Sequence, residues 1–403
     1  MVVRRSNDVL GDALVRRHDE LIDTRRWLHQ HPELGHHEYG TTALIRDRLT
    51  RLGLGERSAG TKTGAVFVLD GKRPGKTVLL RADIDALPVH EELDVTHRSL
   101  TDGVMHACGH DGHTAMLLTV ATVLAERADD LDGSYAFVFQ PGEECGDGAR
   151  RMIEGGLLAD LEADAALGCH LSVGALPTGT IALRSGLALA DTHLIDLEVR
   201  GLPGHGAQPR RGGDAILATG TLITRMSRIV ADLSYDRVAC VCTCGALHAG
   251  SAANMIPELA TMKVTLRTFT ETQHQVAVDR LAVLVDEIID RFQVAITVTT
   301  AGRLPAVTND AEATSTVRRA AETVLGADRV LPSPPVTPGD DMGEFLARLP
   351  GCYFHIGATP TTGAAPHHSA LFDIDERALD IGARVLLEAG PALARAARPK
   401  RHT

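Results

Sequence analysis

The stretch KTVLLRADIDALP, residues 76–88, reads as an apolar strand with polar groups at its end. Val78, Leu79 and Leu80 form an unbroken apolar run, the pattern of a strand covered on both faces. Asp83 and Asp85 follow, where an apolar sheet has no use for them. Two further runs behave alike. AFVFQPGEECG (136–146) ends in Glu143 and Glu144, and ADAALGCHL (163–171) ends in Cys169 and His170. Between them lie TAMLLTVATVLAERA (114–128) and GARRMIEGGLL (148–158), both helical in spacing. Strands alternating with helices predict an α/β fold with a mostly parallel sheet.

Working outward, Leu10, Leu14, Leu21 and Leu28 predict one amphipathic helix over residues 8–28, stopping before Pro32. The pattern changes after Ser185. DTHLIDLEVRG (191–201) alternates like a half-buried strand, and residues 213–233 form a long helical stretch. Two strands (238–247 and 260–269), a helix (272–292) and a strand (293–300) follow. That β-α-β-β-α-β order is the ferredoxin-like pattern. It predicts a self-contained domain over residues 187–301, inserted into a larger one built from 1–186 and 302–403. A chain of 403 residues is long enough for two cores.

The formal net charge of −11 argues against nucleic acid as a partner. The first twenty residues carry charges throughout, unlike a signal peptide, and no apolar run reaches the roughly 18 residues that span a bilayer. Seven scattered cysteines read as reduced thiols, so a cytoplasmic location without membrane partners is expected. Cys240, Cys242 and Cys244 recur at strand period; they read as small packing groups rather than as a thiolate cluster.

The loop MHACGHDGHT (105–114) gathers His106, Cys108, His110 and His113 around two glycines. Ligands of open α/β sheets bind beyond the carboxyl ends of the strands. Asp83, Asp85, Glu143, Glu144, Cys169 and His170 therefore converge with Cys108 and His110, and PHHSALFDIDE (366–376) adds His367 and His368. Any one of these pieces alone fits a capping or solvated group. Adjacent carboxylates also have a specific use, one binding a metal while the other accepts a proton from water.

These blocks resemble the M20 metallopeptidase superfamily, in its amidohydrolase branch with hippurate and auxin-conjugate hydrolases. The resemblance runs from RRWLHQHPELG (25–35) through GHGAQPRRGGDAI (204–216) and GSAANMIPE (250–258) to HHSALFDIDERAL (367–379). It implies metal-dependent hydrolysis of N-acyl amino acids or similar small amides, by a metal-activated water. By motif, Cys108, His110, Glu144, His170 and His368 match the ligands of two divalent ions, Glu143 the general base, and Asp85 an aspartate that orients a ligand. His106 and His113 are expected to be structural. The inserted domain would act as a lid or dimerisation element and supply His205 to the oxyanion, with Asn254 near the substrate. Arg267 is a candidate carboxylate partner, although a strand arginine often serves only its surface. Thiolate and imidazole donors suit Zn, Co or Ni, with Mn also open. A homodimer or higher homo-oligomer is implied as well. A dipeptidase or aminoacylase of the same fold is the alternative, and a catalytically silent metal-binding protein a further one. GDDMGEF (339–345) departs from the family, placing Met342 and Glu344 where aromatics are usual.

Overall fold

The structure is a computed structural model that describes residues 6–209, 213–361, 363 and 365–395. Residues 210–212, part of the 204–216 block, lie outside that set. The chain divides into two compact units. One runs up to Ala188 and adds Thr308–Ser333 and the chain from Asp341 onward; the other comprises Leu189–Val307 and Pro334–Asp340.

The first unit is built on an eight-stranded sheet. Its centre is the strand Arg73–Asp83, buried throughout Val78–Asp83. This strand runs parallel to Asp132–Gln140 on one side and to Ala165–Pro177 on the other. Gly351–Thr359 extends the parallel set beyond Ala165–Pro177. Antiparallel strands close the Ala65–Asp70 side. The helix His110–Ala125 buries all but two of its sixteen residues. From Ala115 onward its surface is apolar on nearly every side, as a helix enclosed on every side requires. It packs against the helices His18–Gln30 and Arg377–Ala394.

Two sequence expectations need correcting. Residues 8–28 form two helices, Ser6–Val15 and His18–Gln30. No glycine or proline marks the break. Arg17, at the junction, is held by Glu20 and Glu126, so tertiary contacts turn the chain where no breaker residue does. The strand expected to end at His170 continues to Pro177, because Gly351–Thr359 goes on pairing beyond Gly168, where pairing to Arg73–Asp83 stops. His170 therefore sits within a strand, in register with His355.

The second unit holds strands Asp191–Arg200, Val241–Ala249, Leu259–Thr268 and Ala295–Leu304, with helices Ala215–Met226 and Glu271–Phe292. All pairings are antiparallel, and the strands lie in the order second, third, first, fourth. Thr270 and Gln273 close a capping box at the start of the second helix. The last strand pairs as far as Leu304, and the Pro334–Asp340 loop belongs to this unit although it follows far later in sequence. Its anchors are Ala190 N–H to the Val336 carbonyl and Arg267 to the Thr337 carbonyl. Cys240 and Cys242 are buried apolar groups of this unit.

Candidate metal centre

The loop after Met105 becomes a helix at Gly109, whose φ of +91° puts it in the left-handed region that glycine adopts freely. Three residues on, a Cβ at Gly112 would lie 2.6 Å from Leu171 Cδ1. The two glycines thus serve a chain reversal and a close packing contact. They place Cys108 and His110 against the strand that carries His170.

Backbone and carboxylate hydrogen bonds sort the histidines by which nitrogen is left over. His110 Nδ1 lies 3.0 Å from the Asp85 carbonyl and 3.3 Å from Asp85 Oδ1, so it carries the proton. His110 Nε2 is buried without a hydrogen-bond partner among the described residues. His170 Nδ1 donates to the Leu171 carbonyl at 2.8 Å, which leaves Nε2 as an acceptor, 3.5 Å from Cys108 Sγ. His113 shows the opposite arrangement. Its Nδ1 donates to Asp83 Oδ1 at 2.6 Å and its Nε2 accepts the Leu171 N–H at 2.9 Å, so neither nitrogen is left for a ligand. His113 is structural by this account and ties the helix to the strand. His106 is buried, and burial pushes its pKa down to about 4, so it is a neutral core residue.

The Glu143–Glu144 turn is fixed by its backbone. Glu144 N–H donates to Asp85 Oδ2 at 2.9 Å and Gly142 N–H to Glu38 Oε1 at 2.8 Å. Asp85 therefore holds His110 and Glu144 together. His368 Nε2 approaches Glu144 Oε1 at 3.3 Å, and the backbone N–H of His368 donates to the Ala107 carbonyl at 2.8 Å. With φ of +66°, His368 occupies strained backbone for a histidine, as functional residues often do.

Three groups of potential ligand atoms within 4.8 Å of one another are Cys108, His110 and His170; Cys108, Glu144 and His368; and His110, Glu143 and Glu144, while two more join His110 to Asp83 and His113, and Glu143 to Asp340 and Asp341. Cys108, His110 and Glu144 each belong to two of the first three groups, so those six residues form one continuous cluster. Burial works against charging His110, yet Asp83 and Asp85 hold its pKa well above the usual value. The pocket thus favours positive charge where Nε2 lies. An unpartnered imidazole nitrogen, a thiol and two carboxylates in such a field fit divalent cations. Burial pushes the Cys108 thiol up, which is the cost a coordinating cation would remove.

Sequence reasoning passed over two supports. Arg81 is buried and reaches Asp83 (2.7 Å), Gln140 (2.8 Å) and Asp341 (2.8 Å). Burial would raise the Asp83 carboxyl, but Arg81 and the neighbouring histidines hold it well below the usual range. The spacing of Arg81, Asp83 and Asp85 at period two was the available signal, since alternate strand residues share a face. The second support is Arg25, fully buried, with Nε 2.9 Å from Asp111 Oδ2; His29 Nδ1 meets the same oxygen at 2.7 Å. Arg25 and His29 are one helical turn apart, which also was legible. Met342 is buried, and its sulfur would lie 3.1 Å from a Cβ at Gly168, so it packs against the strand that carries His170.

His205, Asn254 and Arg267 belong to the second unit. His205 pairs with Met255 across a two-residue ladder, and Gly206 N–H donates to the Asn254 carbonyl at 2.8 Å. That ladder brings His205 and Asn254 together, and both are exposed. Arg267 Nη1 meets the Thr337 carbonyl at 3.0 Å and the Thr192 hydroxyl at 3.4 Å, both neutral oxygens. Burial lowers its pKa.

Residues 79–390 match the peptidase family M20/M25/M40. The chain is 35% identical over 375 residues to the N-acetyl-L-cysteine deacetylase of Bacillus subtilis, covering 93% of this chain and 88% of that protein. It is also 35% identical to thermostable carboxypeptidase 2 of Saccharolobus solfataricus, covering 91% of this chain and 93% of that one. Among solved structures, the YXEP protein of Bacillus subtilis, a dinuclear metal-binding peptidase of family M20, superposes with a TM-score of 0.78 at 29% identity. The match covers 94% of this chain and 99% of that one. No described helix is long and apolar enough to cross a membrane. With imidazole, thiol and carboxylate groups gathered in one cluster and likeness across nearly its whole length, this chain belongs to the M20 peptidase family and is a hydrolase of its amidohydrolase branch.

Proposed function

We propose that this protein cleaves the amide bond of N-acyl amino acids or similar small amides at the Cys108–His170 cluster. The observation that carries the reading is that His110 and His170 offer ligand atoms within 4.8 Å of Cys108, and His110 also of the adjacent Glu143 and Glu144. Cys108, His110, Glu144, His170 and His368 would hold two divalent ions, of Zn, Mn, Ni or Co. When bound, such ions polarise the scissile carbonyl and lower the pKa of water.

Glu143 takes the proton of the attacking water and hands it to the leaving nitrogen. Its neighbour Glu144 is held by Asp85, so the base is presented on a turn that does not drift. His205 donates to the developing oxyanion, and Asn254 lies near the substrate. Arg267, which meets only neutral oxygens in the contacts given above, accepts the substrate carboxylate by bidentate pairing. The inserted unit acts as a lid and as the contact of a homodimer or higher homo-oligomer.

The likeness to a carboxypeptidase supports a second reading, in which unblocked peptides are the substrates. Amine release from N-acetyl, N-benzoyl and longer N-acyl amino acids, measured beside unblocked dipeptides, separates the two. Blocked substrates are expected to react, and chelation to abolish the reaction. Release from dipeptides alone would transfer the protein to the peptidase reading, and turnover that survives chelation would refute a metal-dependent mechanism.

A further inference from the structure

His367 adjoins a proposed ligand, yet it belongs to none of the ligand groups found among the described residues. Its Nε2 accepts the Val173 N–H at 3.2 Å. A ring nitrogen that accepts from a backbone N–H carries no proton, so the imidazole in this arrangement is neutral. A neutral imidazole that accepts at Nε2 must carry its proton on Nδ1. That Nδ1 lies 3.6 Å from Cys108 Sγ, within reach for an N–H···S hydrogen bond. Phe372 packs against the same ring, with centroids 4.9 Å apart, and limits its rotation.

The sulfur therefore has two distinct neighbours. His170 Nε2, at 3.5 Å, is an acceptor and cannot donate. His367 Nδ1 is a donor and has the sulfur as its acceptor. The two imidazoles sit at nearly equal distances from Cys108 in opposite roles, and two backbone groups set those roles: the Leu171 carbonyl and the Val173 N–H.

We infer that His367 donates a hydrogen bond from Nδ1 to Cys108 Sγ and thereby sets the metal preference of the site. The inference rests on the reading that Cys108 is a metal ligand. A donor aimed at a thiolate draws charge out of its lone pairs, as hydrogen bonds to sulfur tune other metal–thiolate centres. A weakened thiolate loses more affinity for thiophilic ions than for oxygen-preferring ones. His367 thus moves the balance from Zn toward Mn.

The test uses the full chain loaded with Co(II), whose sulfur-to-cobalt absorption reports on the thiolate. His367→Phe keeps a ring against Phe372 and removes the donor. The band is expected to move to lower energy, and the ratio of Zn to Mn affinity to rise about tenfold. His367→Asn, which returns an N–H near the position of Nδ1, is expected to restore both toward the starting values. A band that is present and unmoved in His367→Phe overturns the inference while leaving Cys108 a ligand. Absence of the band in the unsubstituted protein overturns the ligand reading instead. Loss of one cobalt equivalent in His367→Phe makes His367 a ligand and also overturns the donor assignment. Should the variants not fold, 15N-histidine NMR of the unsubstituted, zinc-loaded protein decides the matter. An Nδ1–H tautomer at His367 is expected, and an Nε2–H tautomer overturns the inference.

Discussion

His110 and His170 rest on a long helix and a long strand, and Cys108 on the buried turn that leads into that helix, whereas His205 rests on a two-residue ladder and is exposed. In the first region His110 and His170 each commit Nδ1 to a backbone carbonyl, so Nε2 is fixed in direction. In the second, His205 is bonded locally, its Nδ1 accepting the Ala207 N–H at 3.1 Å. Coordination demands donors held to a few tenths of an ångström, and packed strands and helices supply that. A group that meets substrate only during turnover can sit on a short, adaptable element.

Substitutions can break or sharpen this contrast. Glu143→Ala removes a base from the rigid region, and kcat is expected to fall roughly 10²- to 10⁴-fold with bound metal unchanged. Normal turnover by that variant excludes Glu143 as the base. His205→Ala acts on the adaptable region, with an expected loss of about 10²- to 10³-fold in kcat and no change in metal content or melting temperature. Parallel losses of metal and kcat would instead give His205 a structural role. His113→Leu tests the scaffold itself. It removes the partner of Asp83 Oδ1 and of the Leu171 N–H and is expected to cost about 1–3 kcal/mol in urea unfolding, with lowered metal affinity. An unfolding midpoint within error of the starting protein would contradict that account. Arg267→Lys keeps charge but loses the planar fork, so KM for carboxylate-bearing substrates is expected to rise about tenfold, kcat changing less. Equal effects on substrates lacking a carboxylate would remove the carboxylate contact.

The same contrast explains what the sequence disclosed. Periodicity exposed the parallel sheet and the β-α-β-β-α-β order, because burial on two faces or one leaves different patterns along a strand. The strand ends were legible as polar groups with no apolar purpose. What stayed hidden was set by contacts distant in sequence. The break at Arg17 depends on Glu126, and the extension beyond His170 depends on Gly351–Thr359. Pro334–Asp340 joins the second unit through bonds to Ala190 and Arg267. Composition within the loop does not announce them. Spacing alone did not separate His110 from His113, histidines three residues apart on one helix; the resemblance supplied that expectation. The group bonded to each nitrogen gives it a physical basis.

The helix His110–Ala125 also says where this protein can and cannot be altered. With all but two positions buried and Leu171 pressed against Gly112, it has almost no site that accepts a change of volume. A library aimed at new substrates would waste most of its members there. The exposed positions around His205 and Asn254 carry no such constraint, and diversity placed on that ladder leaves the chemistry-bearing scaffold intact.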